Sequence, residues 1–334
     1  MPNTFAEDRY SKMNYRRCGR SGLQLPAVSL GFWQSLGKPG NEDICRQCCY
    51  YAFDHGVNHF DLANNYGPPP GNSELVVGNI LKDMPRDEMI ISTKAGYYMW
   101  PGPYGDGGSK KYLVASLDQS LARMGLDYVD IFYHHRPDTQ TPMEETLAAL
   151  DLIVKQGKAL YVGVSNYSGQ QTRQAVAVAQ EHDWTPLSIH QPRINMLDRK
   201  PIADVLPATD ESGIGVIAFS PLAQGRLTDR YLHGLPADSR KGQEDSGEKW
   251  YQEQQAAGVW DKVAKLNKIA KSRGQTMAQL ALAWLLEDRR ITSVLIGVSR
   301  LEQLKECIAV GSAAGISDEE MRQIAAILEI GTSD

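Results

Sequence analysis

At 334 residues, 42% of them hydrophobic and 22% charged, the chain can bury a large core, and an α/β barrel can hold that length as one domain. The formal charge of −5 argues against nucleic acid or an anionic membrane as the main partner, because both call for a basic surface. No apolar run approaches the ~18 residues that a bilayer-spanning helix needs. The opening MPNTFAEDRY lacks a basic start leading into an apolar run, so no cleaved leader is read and a cytoplasmic location is expected.

Residues 1–25 carry turn signals at Gly19 and Gly22 and read as a β-hairpin capping the floor of whatever follows. A β-branched run at Val28–Phe32 then leads into an amphipathic helix over 42–54, which turns Cys45, Cys48, Cys49 and Ala52 onto one face. No second ligand pair follows this C-x-x-C at zinc spacing, so the thiols read as apolar packing and no metal is expected. Further strands are expected at Val57–Leu62, Met89–Thr93, Val129–Tyr133, Tyr161–Val164, Leu187–His190, Gly215–Phe219 and Ser293–Ile296. Helical patterns alternate with them near 73–82, 110–124, 143–156, 168–182, 201–212, 258–288 and 300–310. The polar segment 226–257 has no clear period, and a loop that long is usually functional or disordered.

Eight strand–helix units imply a parallel sheet, either open or closed. An open dinucleotide-binding fold places G-x-G-x-x-G after its first strand. The nearest match here, Gly213-Ile-Gly215-Val-Ile-Ala218, comes before its strand and is a turn. The count of eight favours a (β/α)8 TIM barrel, one domain over 1–334.

Reactive groups in such a barrel gather where strands end. The exits carry Asp61 and Tyr66, Lys94, His135, Ser165 and Asn166, Gln191, Ser220, and finally Gly297 with Ser299. A lysine at the end of a buried strand needs a counter-charge, and Asp61 is the candidate. Its ammonium beside Tyr66 is expected to lower the phenol's pKa from ~10 towards working pH. His135 would donate to the same substrate oxygen, while His134, its neighbour on the strand, faces the other way and reads as structural. Hydride would have to come from a cofactor.

The motifs "GVNHFDLANNYG", "IISTKAG", "YVDIFYHHRPD", "GKALYVGVSNYS", "IHQPRINML", "AFSPLAQGRLT" and "SVLIGVSRLEQLKE" resemble those of the aldo-keto reductases over essentially the whole chain. Within that family the resemblance is to the bacterial L-glyceraldehyde-3-phosphate reductase branch, related to potassium-channel beta subunits. It implies a catalytic tetrad of Asp61, Tyr66, Lys94 and His135, with Tyr66 as proton donor and NADPH lying across the barrel mouth. Ser165, Asn166 and Gln191 would hold the carboxamide, with Asp61 and Trp33 at the nicotinamide end. Ser220, Leu222 and Gln224 would follow the pyrophosphate, and Gly297, Ser299, Gln303 and Glu306 the adenosine. Arg230 and Arg240, in a loop closing over the cofactor, would meet the 2′-phosphate. Two departures are Cys307, where the family commonly has asparagine, and Arg230, where relatives often carry lysine.

The resemblance implies a small aldehyde as substrate, with L-glyceraldehyde 3-phosphate and methylglyoxal as candidates, and a homo-oligomer. Tyr97, Tyr98, Trp100 and Tyr104 either wall the pocket or pack their own loop. Lys110, Lys111 and Arg136 are the cations available to a phosphorylated substrate. Two other readings stand beside this one. A Schiff-base aldolase would need a neutral Lys94, which Asp61 opposes. An NADPH-sensing subunit like the channel beta subunits would be expected to carry asparagine rather than His135.

Overall fold

The computed structural model describes residues 5–312 and 315–329. Two short strands, β1 (Tyr15–Arg17) and β2 (Gln24–Pro26), pair antiparallel. Eight further strands follow: β3 (Val28–Gly31), β4 (His59–Asp61), β5 (Ile90–Ala95), β6 (Val129–His134), β7 (Ala159–Ser165), β8 (Leu187–Gln191), β9 (Gly215–Phe219) and β10 (Ile291–Gly297). They close into one parallel barrel, with β10 pairing both β9 and β3. Closure leaves no sheet edge exposed.

Eleven α-helices lie among the described residues: α1 (Glu42–Asp54), α2 (Asn72–Leu81), α3 (Lys110–Met124), α4 (Met143–Lys155), α5 (Gly169–Glu181), α6 (Lys200–Ser212), α7 (Gly247–Ala256), α8 (Val259–Ser272), α9 (Met277–Glu287), α10 (Leu301–Ile308) and α11 (Asp318–Glu329). None is long and apolar enough to cross a membrane. Cys45, Cys48 and Cys49 are fully buried on the inner face of α1, and burial pushes the Cys48 thiol up to about 11. They pack as expected of small apolar side chains.

Three expectations are corrected. The pattern over 258–288 is two helices, because Gly274 sits at φ +66° and Thr276 then starts α9 with a reciprocal capping box to Gln279. The segment 226–257 is not all loop: it holds a 3₁₀ turn (Asp229–Tyr231) and α7. Its order comes from aromatic contacts among Tyr231, Trp250, Tyr251 and Trp260 rather than from an amphipathic stripe. Helix α11, which packs against α8, falls in sequence where no element was expected.

The hairpin closes the floor. Cys18, Leu23 and Leu25 fill the bottom of the barrel against Ile131, Tyr133, Ile189, Ile217 and Leu295. The Arg20 amide donates to the Gly213 carbonyl at 2.8 Å, and the Arg16 guanidinium donates to the carbonyls of Ile291 and Leu286. This plug fills the end of the barrel opposite the strand exits.

Gly19 makes the seal possible: its φ is +57°, and a Cβ there would stand 2.1 Å from the Gly213 oxygen. Gly19→Ala is expected to cost about 2–3 kcal/mol, read as a lower urea midpoint, with kinetic constants held because the mouth is untouched. An unchanged midpoint would mean that the contact does not seal the floor.

Candidate active site

The register sets Asp61 opposite Ser92, and Lys94 two residues further along β5, on the same face. Asp61 and Lys94 have no solvent exposure and form an ion pair through Asp61 Oδ2. Lys94 Nζ also donates to the Leu62 carbonyl at 2.7 Å. Asp61 Oδ1 accepts from the Ser92 hydroxyl at 2.6 Å and from Gln191 Nε2 at 3.2 Å. Burial pulls the Lys94 pKa down, opposed by the Asp61 charge and its hydrogen bond and by Glu74. An unpartnered buried ammonium would shed its proton; a hydrogen-bonded pair holds it.

Tyr66 follows in the loop after β4. Its carbonyl accepts from the amides of Gly71 and Ser73, at 3.0 and 3.3 Å, which anchors it to the start of α2. Lys94 Nζ lies 5.1 Å from the Tyr66 ring centre, and the His135 ring stands edge-on at 5.8 Å. The four expected residues are therefore together.

The direction of the phenol's shift is the reverse of the sequence expectation. The packed surroundings first, then the Asp61 carboxylate and Tyr97, hold Tyr66 well above its ordinary value. Desolvation of a phenolate outweighs the pull of a cation already paired with a carboxylate. His135 is held far below its ordinary value by burial, then Lys94, His134 and Arg136. It is a neutral imidazole, and its buried Nδ1 has no protein hydrogen-bond partner. His134 is engaged elsewhere, with Nδ1 2.8 Å from the Tyr167 hydroxyl.

Ser165, Asn166 and Gln191 form one cluster with this group. The Ser165 hydroxyl donates to the Gln191 carbonyl at 2.7 Å, and Asn166 Nδ2 donates to the His135 carbonyl at 3.0 Å. Across the mouth, the Ser299 amide and hydroxyl donate to Gln303 Oε1 at 2.9 and 3.1 Å, just past Gly297. The Glu306 carbonyl accepts from Gln279 Nε2, and Cys307 is buried. Ser220, Leu222 and Gln224 follow β9 in a tight turn, where Ser220, Ala223 and Gln224 have φ of 51°, 50° and 59°. Gln34 and Asn166, past β3 and β7, are also at positive φ. Each such residue costs about 1–2 kcal/mol, so the chain carries backbone strain where these strands exit.

The two arginines are engaged differently. Arg230 pairs with Asp238 at 2.8 Å, whereas Arg240 lies 5.4 Å over the ring of Trp33, which is 44% exposed. The segment 226–257 thus reaches across to the exit of β3. A cavity of about 490 Å³ opens where β7, β8 and β9 exit, lined by Asn166, Arg193, Lys200 and Phe219 among others; none of the four tetrad residues lines it.

In the loop after β5, Tyr97 stands edge-on to His135 at 4.7 Å and so walls the site, while Trp100 packs its loop onto the barrel against Tyr112 of α3. Tyr98 and Tyr104 are exposed. Arg136, held by Asp106 and the Gly96 carbonyl, lies over Tyr97 at 4.6 Å. Lys111 Nζ lies 5.5 Å over the ring of Tyr104. Residues missed in the sequence are Ser92 and His59, the polar side chains two positions before Lys94 and Asp61. The period of two in HFD and STK would have found them.

A sequence profile described as the Aldo/keto reductase family matches residues 27–329. The chain belongs to that family, and with it to the oxidoreductases that generally use NAD(P)H. It is 52% identical over 323 residues to L-glyceraldehyde 3-phosphate reductase of Escherichia coli (strain K12), covering 95% of this chain and 93% of that one. A probable voltage-gated potassium channel subunit beta of Arabidopsis thaliana is 36% identical over 301 residues, 88% of this chain and 90% of that one.

Buried histidines give the fold a pH signature. Burial holds His59 and His134 down to about 4 and His190 to about 3. Unfolded, each titrates near 6.5. Between those values the unfolded chain binds protons that the folded one refuses, so this stability is full above pH ~6.5 and is lost as pH falls through the window. The urea midpoint should fall from pH 7 to pH 5, with each histidine adding up to about 1.4 kcal/mol per pH unit. A flat midpoint would show these imidazoles to be charged or exposed.

Proposed function

We propose that this protein reduces small aldehydes, phosphorylated ones among them, with NADPH as reductant and Tyr66 as proton donor. The observation that carries this is the Lys94 ammonium, paired with Asp61 and 5.1 Å from the Tyr66 ring, beside a neutral His135.

The residues at the mouth fit a dinucleotide. Ser165, Asn166 and Gln191 are amide and hydroxyl groups suited to a carboxamide, and Asp61 and Trp33 would flank that end. Ser220, Leu222 and Gln224, in a strained turn, would hold the pyrophosphate, and Gly297, Ser299, Gln303 and Glu306 would hold the adenosine. Arg230 and Arg240 carry the forks that suit a 2′-phosphate; Arg240 would meet it by leaving Trp33. When bound, the reduced nicotinamide supplies the hydride.

Each tetrad residue has a task. His135, neutral, donates a hydrogen bond to the carbonyl oxygen and orients it. Tyr66, protonated throughout the neutral range because its phenol is raised, delivers its proton to that oxygen as negative charge develops. The transfer is favourable because an alkoxide is a far stronger base than a phenolate. Lys94 then faces the phenolate left behind, and Asp61 keeps Lys94 charged. The same pairing disfavours a Schiff base, which needs a neutral amine. Arg136, linked to His135 through Tyr97, is the cation best placed for a substrate phosphate.

The test is NADPH oxidation with a panel of short aldehydes, including glyceraldehyde 3-phosphate and methylglyoxal. Tyr66→Phe should slow turnover by about a thousand-fold while NADPH binding, followed by fluorescence, stays unchanged. Near-normal rates in that variant would end the assignment. Tight NADPH binding by the unaltered protein with no aldehyde turned over would favour the sensor reading.

A further inference from the structure

Four buried polar side chains on adjacent strands lead from the barrel interior to Asp61, and the reaction as described uses none of them. Ser293 on β10, Ser29 on β3, His59 on β4 and Ser92 on β5 have no solvent exposure. Ser293 Oγ lies 2.7 Å from Ser29 Oγ, which lies 2.9 Å from His59 Nδ1. His59 Nε2 lies 3.0 Å from Ser92 Oγ, and Ser92 Oγ lies 2.6 Å from Asp61 Oδ1.

Counting hydrogens gives the row a direction. Asp61, paired with Lys94, is a carboxylate and only accepts. The single hydroxyl hydrogen of Ser92 therefore points at Asp61, and Ser92 Oγ must accept from His59 Nε2–H. A neutral imidazole protonated on Nε2 has a bare Nδ1, so Ser29 donates to it, and Ser29 Oγ accepts from Ser293. The opposite sense would turn a Ser92 lone pair towards the carboxylate at hydrogen-bonding distance, which is repulsive. Every bond runs towards Asp61, and bonds aligned this way polarise one another.

We propose that His59 is a positioning residue for the reduction: its Nε2–H fixes the Ser92 hydroxyl on Asp61 Oδ1, which leaves Oδ2 to Lys94. With Oδ1 held by Ser92 and Gln191, the carboxylate cannot turn, and the ammonium it carries keeps its place beside Tyr66. Isolated, Ser92 could swing its hydrogen elsewhere; His59 removes that freedom by occupying its acceptor side. The tautomer stands by itself, whereas its kinetic consequence rests on the proposed role of Tyr66 and Lys94.

Protein labelled with ¹⁵N-histidine tests the tautomer directly, with His59 assigned by its disappearance in His59→Gln. The expected signature is a neutral ring protonated on Nε2 and bare on Nδ1, its Nε2–H resonance moving upfield in Ser92→Ala. A ring protonated on Nδ1, or an imidazolium at pH 7, would overturn the proposal whether or not the protein turns over aldehydes. For the consequence, His59→Leu has similar volume but neither donor nor acceptor, while His59→Gln keeps both. Single-turnover NADPH oxidation should slow about ten-fold in His59→Leu, with the aldehyde KM held, and the glutamine should recover most of the loss. Lowered stability in both variants with unchanged rates would reduce His59 to a packing residue and refute the proposal. If the leucine variant does not fold, Ser92→Ala is read in the same way.

Discussion

A carboxylate and an ammonium, both without access to water, face each other where β4 and β5 leave the barrel. Burying such charges costs several kcal/mol for each ion, and their attraction offsets this only when the remaining hydrogen-bonding groups are also satisfied. Here they are: Leu62 takes a second Lys94 hydrogen, and Ser92 and Gln191 hold the other Asp61 oxygen. The partners come from three strands and the loop after β4, so the pair exists only in the closed barrel. A pair of apolar residues would serve stability as well or better; what they could not do is set a cation beside a phenol.

The rest of the architecture protects that arrangement. Hairpin residues fill the barrel from below, and the strand exits lie at the other end. At that end the chain accepts strain, with non-glycine residues at positive φ after β3, β7 and β9. The segment 226–257 reaches over to Trp33 through Arg240. Burial raises the phenol and lowers the imidazole, so that in the neutral range the first keeps its proton and the second carries no charge.

Much of this was legible in the chain because the determining signals are local. Alternating β-branched runs and amphipathic stretches announce a barrel, and polar residues ending those runs announce its mouth. What escaped the reading was non-local. Helix α7 is ordered by ring contacts to Tyr231 and Trp260 rather than by a stripe along its own sequence. The direction of the Tyr66 shift depends on how deeply the phenol is packed and on which charge is already compensated, and neither can be read from spacing. The His59–Ser92 row needs strand register, which sets β10, β3, β4 and β5 side by side only once the barrel has closed.

The central claim is that the Lys94 charge, and not merely its bulk, makes Tyr66 a working acid. Lys94→Met keeps the length and removes the cation, and the measurement is single-turnover NADPH oxidation with saturating aldehyde in protein shown to be folded and to bind NADPH. The account predicts a loss of at least about a hundred-fold. A rate within a few-fold of the unaltered protein would contradict it.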